Sequence, residues 1–202
     1  MTPYYEDGAV TIYHGDCREM VWSLQFDALV TDPPYGLGDR WTGGTWGAAA
    51  MYDDARQWDV RPDNELVRGM VSQARESIVW GGNYFEMPPS RCWLAWFKIP
   101  SMATMADMEL AWTSFDRPAK SITESRNPDG TREHPTQKPL RVMRWCIEML
   151  DDLSVVVLDP FAGSGTTLRA AKDCGRKAIG IELSERYCEI AARRCAQEVL
   201  AL

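Results

Sequence analysis

Short apolar runs recur along the chain and are separated by stretches with helical spacing. Seven runs predict strands: Val10–Tyr13, Ala28–Thr31, Ile78–Trp80, Cys92–Phe97, Glu109–Thr113, Val155–Leu158 and Lys177–Ile181. Several are apolar without alternation, the pattern of strands covered on both faces. Between them, Pro62 to Glu76 sets Leu66, Met70 and Ala74 four residues apart. Pro139 to Leu150 gathers Val142, Trp145, Cys146 and Met149 on one side. Thr166 to Cys174 stops near Gly175, and Ser184 to Leu200 opens on a capping serine. Strands alternating with helices predict an α/β domain: a Rossmann-like, seven-stranded, mostly parallel sheet with helices on both faces. Two polar or glycine-rich stretches, about 36–59 and 114–134, predict loop inserts in a single domain spanning 1–202.

The 202 residues are 45% hydrophobic and 25% charged, which excludes a disordered chain. No apolar run approaches the ~20 residues that cross a bilayer, so no membrane partner is expected. Met1 to Asp7 has neither a basic nor an apolar region, so no signal peptide is expected and the cytoplasm is the expected location. Six cysteines without a Cys-x-x-Cys pair, and only two histidines, predict buried reduced thiols and no metal. The net charge of -7 opposes nucleic-acid binding, but the charge is segregated. Arg117, Lys120, Arg126, Arg132, Lys138, Arg141 and Arg144 fall in one stretch. Such a strip fits either a local nucleic-acid footprint or a solvated face.

Two motifs carry the chemistry. Thr31-Asp32-Pro33-Pro34-Tyr35-Gly36 follows a predicted strand directly. Ligands in open α/β sheets bind beyond the carboxyl ends of strands. Pro33 and Pro34 lack N–H donors, so nearby carbonyls are left to accept from outside. Asp32 adds an acceptor and Tyr35 a flat aromatic face. The set suits a planar ligand bearing an NH2 group; the alternative is a Pro-Pro turn with a capping aspartate. The second motif, Val155 to Thr167, reads strand, then Asp159-Pro160-Phe161-Ala162-Gly163-Ser164-Gly165, then helix. It lacks the lysine of a Walker loop, and Leu168 stands where a dinucleotide fingerprint has its third glycine. Glu182, at the end of the next strand, is placed to accept from ribose hydroxyls. The pair points to an adenosine-bearing cofactor.

Together, these motifs resemble the amino-group DNA methyltransferases, which use S-adenosylmethionine to methylate adenine N6 or cytosine N4. Asp-Pro-Pro-Tyr precedes Phe-x-Gly-x-Gly, the circularly permuted order of that family's β-group. Tyr13 to Cys17, Trp80 to Phe85, Trp96 to Lys98 and His134 to Pro139 resemble further family segments in the same order.

The resemblance implies roles. Tyr35 stacks on a flipped base, while the Asp32 carboxylate and a Pro33 carbonyl accept the amine hydrogens, with Pro34 completing the catalytic motif. Phe161, Gly163, Gly165 and Thr166 form the cofactor's methionine side, with Asp159 near its amino group. Glu182 holds the ribose and Asp16 the adenine amine; Thr136 and Lys138 lead into the cofactor site. Asp16 as a helix cap, and Lys138 as an ordinary loop residue, are the alternatives. Asn83 and Tyr84 are candidates for the substrate pocket or for a turn. Trp41 and Trp46 either wedge into DNA or anchor their loop, whereas Trp93, Trp96 and Trp145 read as core. Lys120, Arg126 and Arg132 are the candidate DNA contacts.

The implied activity is N6-adenine transfer, since Asp rather than Ser heads the motif. N4-cytosine transfer is the nearest alternative, and a non-catalytic DNA- or partner-binding module the next. The small recognition region suggests a short target, a homodimer, and a phage or mobile-element origin.

Overall fold

Alternation along each strand divides the strand residues between two cores. The computed structural model describes residues 1–36, 59–101, 106–128 and 137–197. Its strands are β1 (Tyr5–Glu6), β2 (Val10–His14), β3 (Ala28–Thr31), β4 (Glu76–Trp80), β5 (Trp93–Ile99), β6 (Met108–Thr113), β7 (Lys120–Ser125), β8 (Val156–Asp159) and β9 (Lys177–Glu182). They form one sheet in the order β1-β2-β9-β8-β3-β4-β6-β5-β7. Only β1 and β6 run against their neighbours.

The helices are α1 (Cys17–Met20), α2 (Asn64–Gln73), α3 (Leu140–Glu148), α4 (Thr166–Asp173) and α5 (Glu185–Ala196). On one face Val30, Ile78, Trp80, Leu94 and Val157 pack with residues of α3, α4 and α5. On the other, Leu29, Val79, Leu158 and Ile181 pack with Cys17, Val21, Leu66, Val67 and Met70. Neighbouring side chains of one strand thus enter opposite cores, the period-two geometry of a sheet covered twice. Trp80, Trp96 and Trp112 are buried in these cores. Trp93 and Trp145 are partly buried against them. Five of the six cysteines are buried thiols and Cys174 is half-buried.

Two corrections follow. Among the described residues the sheet has nine strands, not seven. The stretch 114–134, expected as a loop insert, contains β7, which lies at the sheet edge beside β5. Lys120-Ser121-Ile122-Thr123-Glu124-Ser125 has one apolar side chain, as suits an edge strand, so no hydrophobic run betrays it. The other missed strand, β1, has two residues.

Strands β3 and β8 are parallel neighbours. The chain leaves β3 toward β4 and leaves β8 toward β9. Their crossovers therefore diverge, which opens a crevice at their carboxyl ends. Asp32 follows β3 directly, and Asp159 ends β8.

Candidate active site

A cavity of about 540 Å³ occupies that crevice. This is within the range of small-molecule sites, ~300–1,000 Å³. Its walls come from segments at the ends of four strands and before one helix. Gly15 and Asp16 follow β2, Asp32 to Tyr35 follow β3, Asp159 to Thr167 run from β8 into α4, Glu182 and Leu183 close β9, and Gln137 and Lys138 precede α3. Arg18, Asp59, Arg61 and Asp63 add further charged groups.

On the β8–β9 side the backbone is shaped around carboxylates. Glu182 accepts from the Gly163 N–H at 2.8 Å through Oε2 and from the Ser184 N–H at 2.8 Å through Oε1. Each oxygen keeps a lone pair for a ligand hydroxyl. Burial pushes the Glu182 carboxyl up, and these amide donors oppose it. Asp159 accepts from the Thr31 hydroxyl at 2.7 Å and the Phe161 N–H at 3.1 Å. Burial raises its pKa to about 6 despite those bonds and the Thr167 hydroxyl. Asp16 caps α1, accepting from the Arg18 N–H at 2.9 Å, and also lines the cavity. Both readings of Asp16 are thus compatible with its place. Three carboxylates, those of Asp16, Asp159 and Glu182, thus line this wall.

On the β3 side the chemistry is concentrated around Asp32. The Tyr35 hydroxyl donates to Asp32 Oδ1 at 2.5 Å. Lys138 Nζ lies 2.5 Å from Asp32 Oδ2 and 3.0 Å from Glu109 Oε2. Lys98 pairs with Oε1 of the same Glu109. Burial pushes the Asp32 carboxyl up; the Lys138 ammonium opposes this and Glu109 adds to it. Burial would also raise Glu109, but the Lys138 and Lys98 ammoniums outweigh it and hold its pKa down at about 2. The Tyr35 ring stacks on Tyr84, centroids 4.8 Å apart and planes 18° apart. It lies against Gly81, where a Cβ would sit 2.1 Å from ring Cε1. Gly81 also has φ +64, a conformation that favours glycine.

The structure therefore brings Asp16, Asp32, Pro33, Pro34, Tyr35, Lys138, Asp159, Phe161, Gly163, Thr166 and Glu182 to one cavity. Gly165 is not part of its lining: it has φ +75 and faces α5, where an added Cβ would meet the Ala191 Cβ at 2.7 Å. Asn83 and Tyr84 also lie outside the lining, and Tyr84 acts through its stack on Tyr35. Lys138 was expected beside the cofactor, yet its ion pairs are with Asp32 and Glu109.

Lys120 stands at the amino end of β7, across the sheet from the carboxyl edge that carries the site. Arg126 follows the carboxyl end of β7 but donates to the carbonyls of Pro100 and Ala106. Trp41, Trp46, Arg132, His134 and Thr136 lie outside the described residues. Sequence reasoning missed Glu109, whose only signal was an acid at the head of an apolar strand. It also missed Arg61, which lines the cavity and donates to the Tyr84 carbonyl at 2.8 Å.

The comparisons agree with this geometry. A family model described as DNA methylase, N6_N4_Mtase, matches residues 52–193. The protein named "Putative methylase YubD" of Escherichia coli (strain K12) is 29% identical over 208 residues, covering 90% of this chain and 88% of that protein. Among solved structures, the M1.HpyAVI complex with SAM aligns with TM-score 0.60 at 23% identity, over 93% of this chain and 100% of that one. The PvuII DNA methyltransferase, specific for cytosine N4, aligns with TM-score 0.67 at 18% identity, over 98% and 90%. These two likenesses establish the fold. With most of its length matched by the family model, this chain belongs to the N6/N4 family of DNA methylases.

Proposed function

We propose that this protein transfers a methyl group from S-adenosylmethionine to the exocyclic N6 of adenine in DNA. One observation carries the reading: the Asp32-Pro33-Pro34-Tyr35 turn and the glycine turn held on Glu182 open into the same cavity. An amine acceptor and a nucleoside cradle in one crevice suit group transfer between two ligands.

The residues present fit the cofactor. Glu182 would take the ribose hydroxyls, and Asp16 the adenine edge. Phe161, Gly163, Asp159 and Thr166 would line its amino-acid side. When bound, S-adenosylmethionine supplies an electrophilic methyl on a sulfonium, a good leaving group. The protein's share is alignment and electrostatics.

The exocyclic amine of a paired base is hidden in the duplex, so the base must be flipped, at a cost of a few kcal/mol. Tyr35 offers the stacking face. Asp32 Oδ1 retains a lone pair beside the Tyr35 hydroxyl and accepts one amine hydrogen. The Pro33 carbonyl accepts the other. Two acceptors localise the nitrogen lone pair. The proton shed by the methylated nitrogen goes to Asp32, whose raised proton affinity suits that task. The aspartate at the head of the motif favours adenine by resemblance. The likeness to a cytosine-N4-specific enzyme is one of fold and does not select the base.

Asp32→Ala tests the reading. Transfer should be abolished, while calorimetry finds S-adenosylmethionine bound as tightly as by the wild type. Retained turnover would overturn it.

A further inference from the structure

We propose that Glu109 and Lys138 are positioning residues for the amine-accepting carboxylate, with Glu109 holding the Lys138 ammonium against Asp32. The proposal rests on the methyl-transfer reading above. Its basis is a chain of alternating charge that spans four separate elements. Asp32 follows β3, Lys138 precedes α3, Glu109 lies on β6 and Lys98 on β5. Lys138 contacts both acids, and Lys98 contacts Glu109. The four charges sum to zero.

The Lys138 side chain is 5% exposed, so its ammonium has little water to solvate it. Its Nζ also lies 5.0 Å from the Trp80 ring centroid and 5.9 Å from that of Tyr35. A buried ammonium without anions would shed its proton or move. With two carboxylates it is fixed. Glu109 is itself committed, because Lys98 takes its other oxygen.

The consequence is geometric. Asp32 Oδ2 is tied to Lys138, so the carboxylate cannot rotate freely about its last bond. Oδ1 is left for the Tyr35 hydroxyl and for a substrate amine. An acceptor must be held to within a fraction of an ångström to direct a lone pair, so anchoring one oxygen serves the other. Neither residue needs to touch the substrate.

Among the described residues, the groups facing this cluster are few. Asp32 meets Lys138, Tyr35 and Glu109, with Asp159 acting from β8. Glu109 meets Lys138 and Lys98. Lys138 further faces Cys146 of α3, a thiol whose pKa burial pushes up to about 12 and which stays neutral. Removing the Lys138 charge leaves Asp32 beside Glu109 alone, so Asp32 must bind its proton more tightly. Removing the Glu109 charge leaves Asp32 with the undivided ammonium, so its proton affinity must fall.

The test uses Lys138→Met, Lys138→Arg and Glu109→Gln in the full chain. Asp32 is followed by carbon NMR of protein labelled at aspartate Cγ, its signal assigned by loss in Asp32→Asn. The midpoint should rise by about one pH unit or more in Lys138→Met, stay near wild type in Lys138→Arg, and fall in Glu109→Gln. In methyl transfer to DNA, kcat should drop at least ~tenfold in Lys138→Met with the KM for S-adenosylmethionine within about twofold. The acid limb of kcat should move with the NMR midpoint, and Lys138→Arg should recover part of the rate.

Folded variants whose Asp32 midpoints and acid limbs match wild type would overturn the proposal. If Lys138→Met fails to fold, the downward shift in Glu109→Gln and the retained midpoint in Lys138→Arg decide it. Midpoints that move while the wild type transfers no methyl would refute the methyl-transfer reading and leave the charge clamp standing. An active wild type with unmoved midpoints would refute the clamp alone.

Discussion

Asp159 offers a quantitative test of how this site is built. Its carboxylate is buried at the end of β8, held by the hydroxyls of Thr31 and Thr167 and by the Phe161 N–H. Burial disfavours the charged form and raises its pKa from 3.8 to about 6. The folded state thus binds a proton more tightly than the unfolded chain. Between the two values N holds more protons than U, so stability falls as pH rises. The contribution is fully present below the unfolded value and is lost as pH passes the folded one.

A gap of roughly two units corresponds to about 3 kcal/mol in full, of which about 2 kcal/mol lies between pH 4.5 and 7.5. Asp159→Asn keeps an acceptor oxygen for Thr31 and Phe161 and cannot ionise. Urea unfolding of both proteins at the two pH values isolates the effect, since other titrating groups cancel in the difference. The variant should gain about 2 kcal/mol relative to wild type on going from pH 4.5 to 7.5. A difference that does not change with pH would refute the claim that this carboxyl is destabilised by burial.

Other outcomes follow from single contacts. Gly81→Ala places a methyl against the Tyr35 ring at a left-handed backbone position, so kcat/KM for DNA should fall at least ~tenfold while S-adenosylmethionine affinity holds. Glu182→Gln should weaken S-adenosylmethionine binding in calorimetry by about 10–100-fold, the worth of hydrogen bonds to a charged acceptor, with the fold intact by circular dichroism. Gly165→Ala should lower stability by about 1–3 kcal/mol in urea unfolding, because its φ is positive and Ala191 lies behind it.

The sequence made the sheet interior legible because β3, β4 and β8 are covered on both faces and most of their residues are apolar. Residues 76–80 and 156–159 lie within two positions of the predicted runs. What stayed hidden obeys the same physics. Strand β7 lies at an edge and needs no apolar run, so its polar residues read as loop. The β8–β9 wall of the cavity was readable because a glycine turn and an acid at a strand end are local signals. The Asp32 cluster was only half readable. Asp32 and Tyr35 are three positions apart in sequence, but Lys138 and Glu109 reach them through tertiary packing. Spacing along the chain carries no trace of the ion pairs that Lys138 makes with Asp32 and Glu109, from two separate stretches of sequence. Lys120 shows the converse, since a basic residue in the right stretch was set by strand direction at the wrong end of the sheet.

The most direct test of the central claim incubates the purified protein with genomic DNA and methyl-labelled S-adenosylmethionine, then separates the digested nucleosides by mass spectrometry. Label on adenine N6 is the predicted result. Label on cytosine N4 would contradict the choice of base, and no label with cofactor bound would contradict methyl transfer to DNA itself.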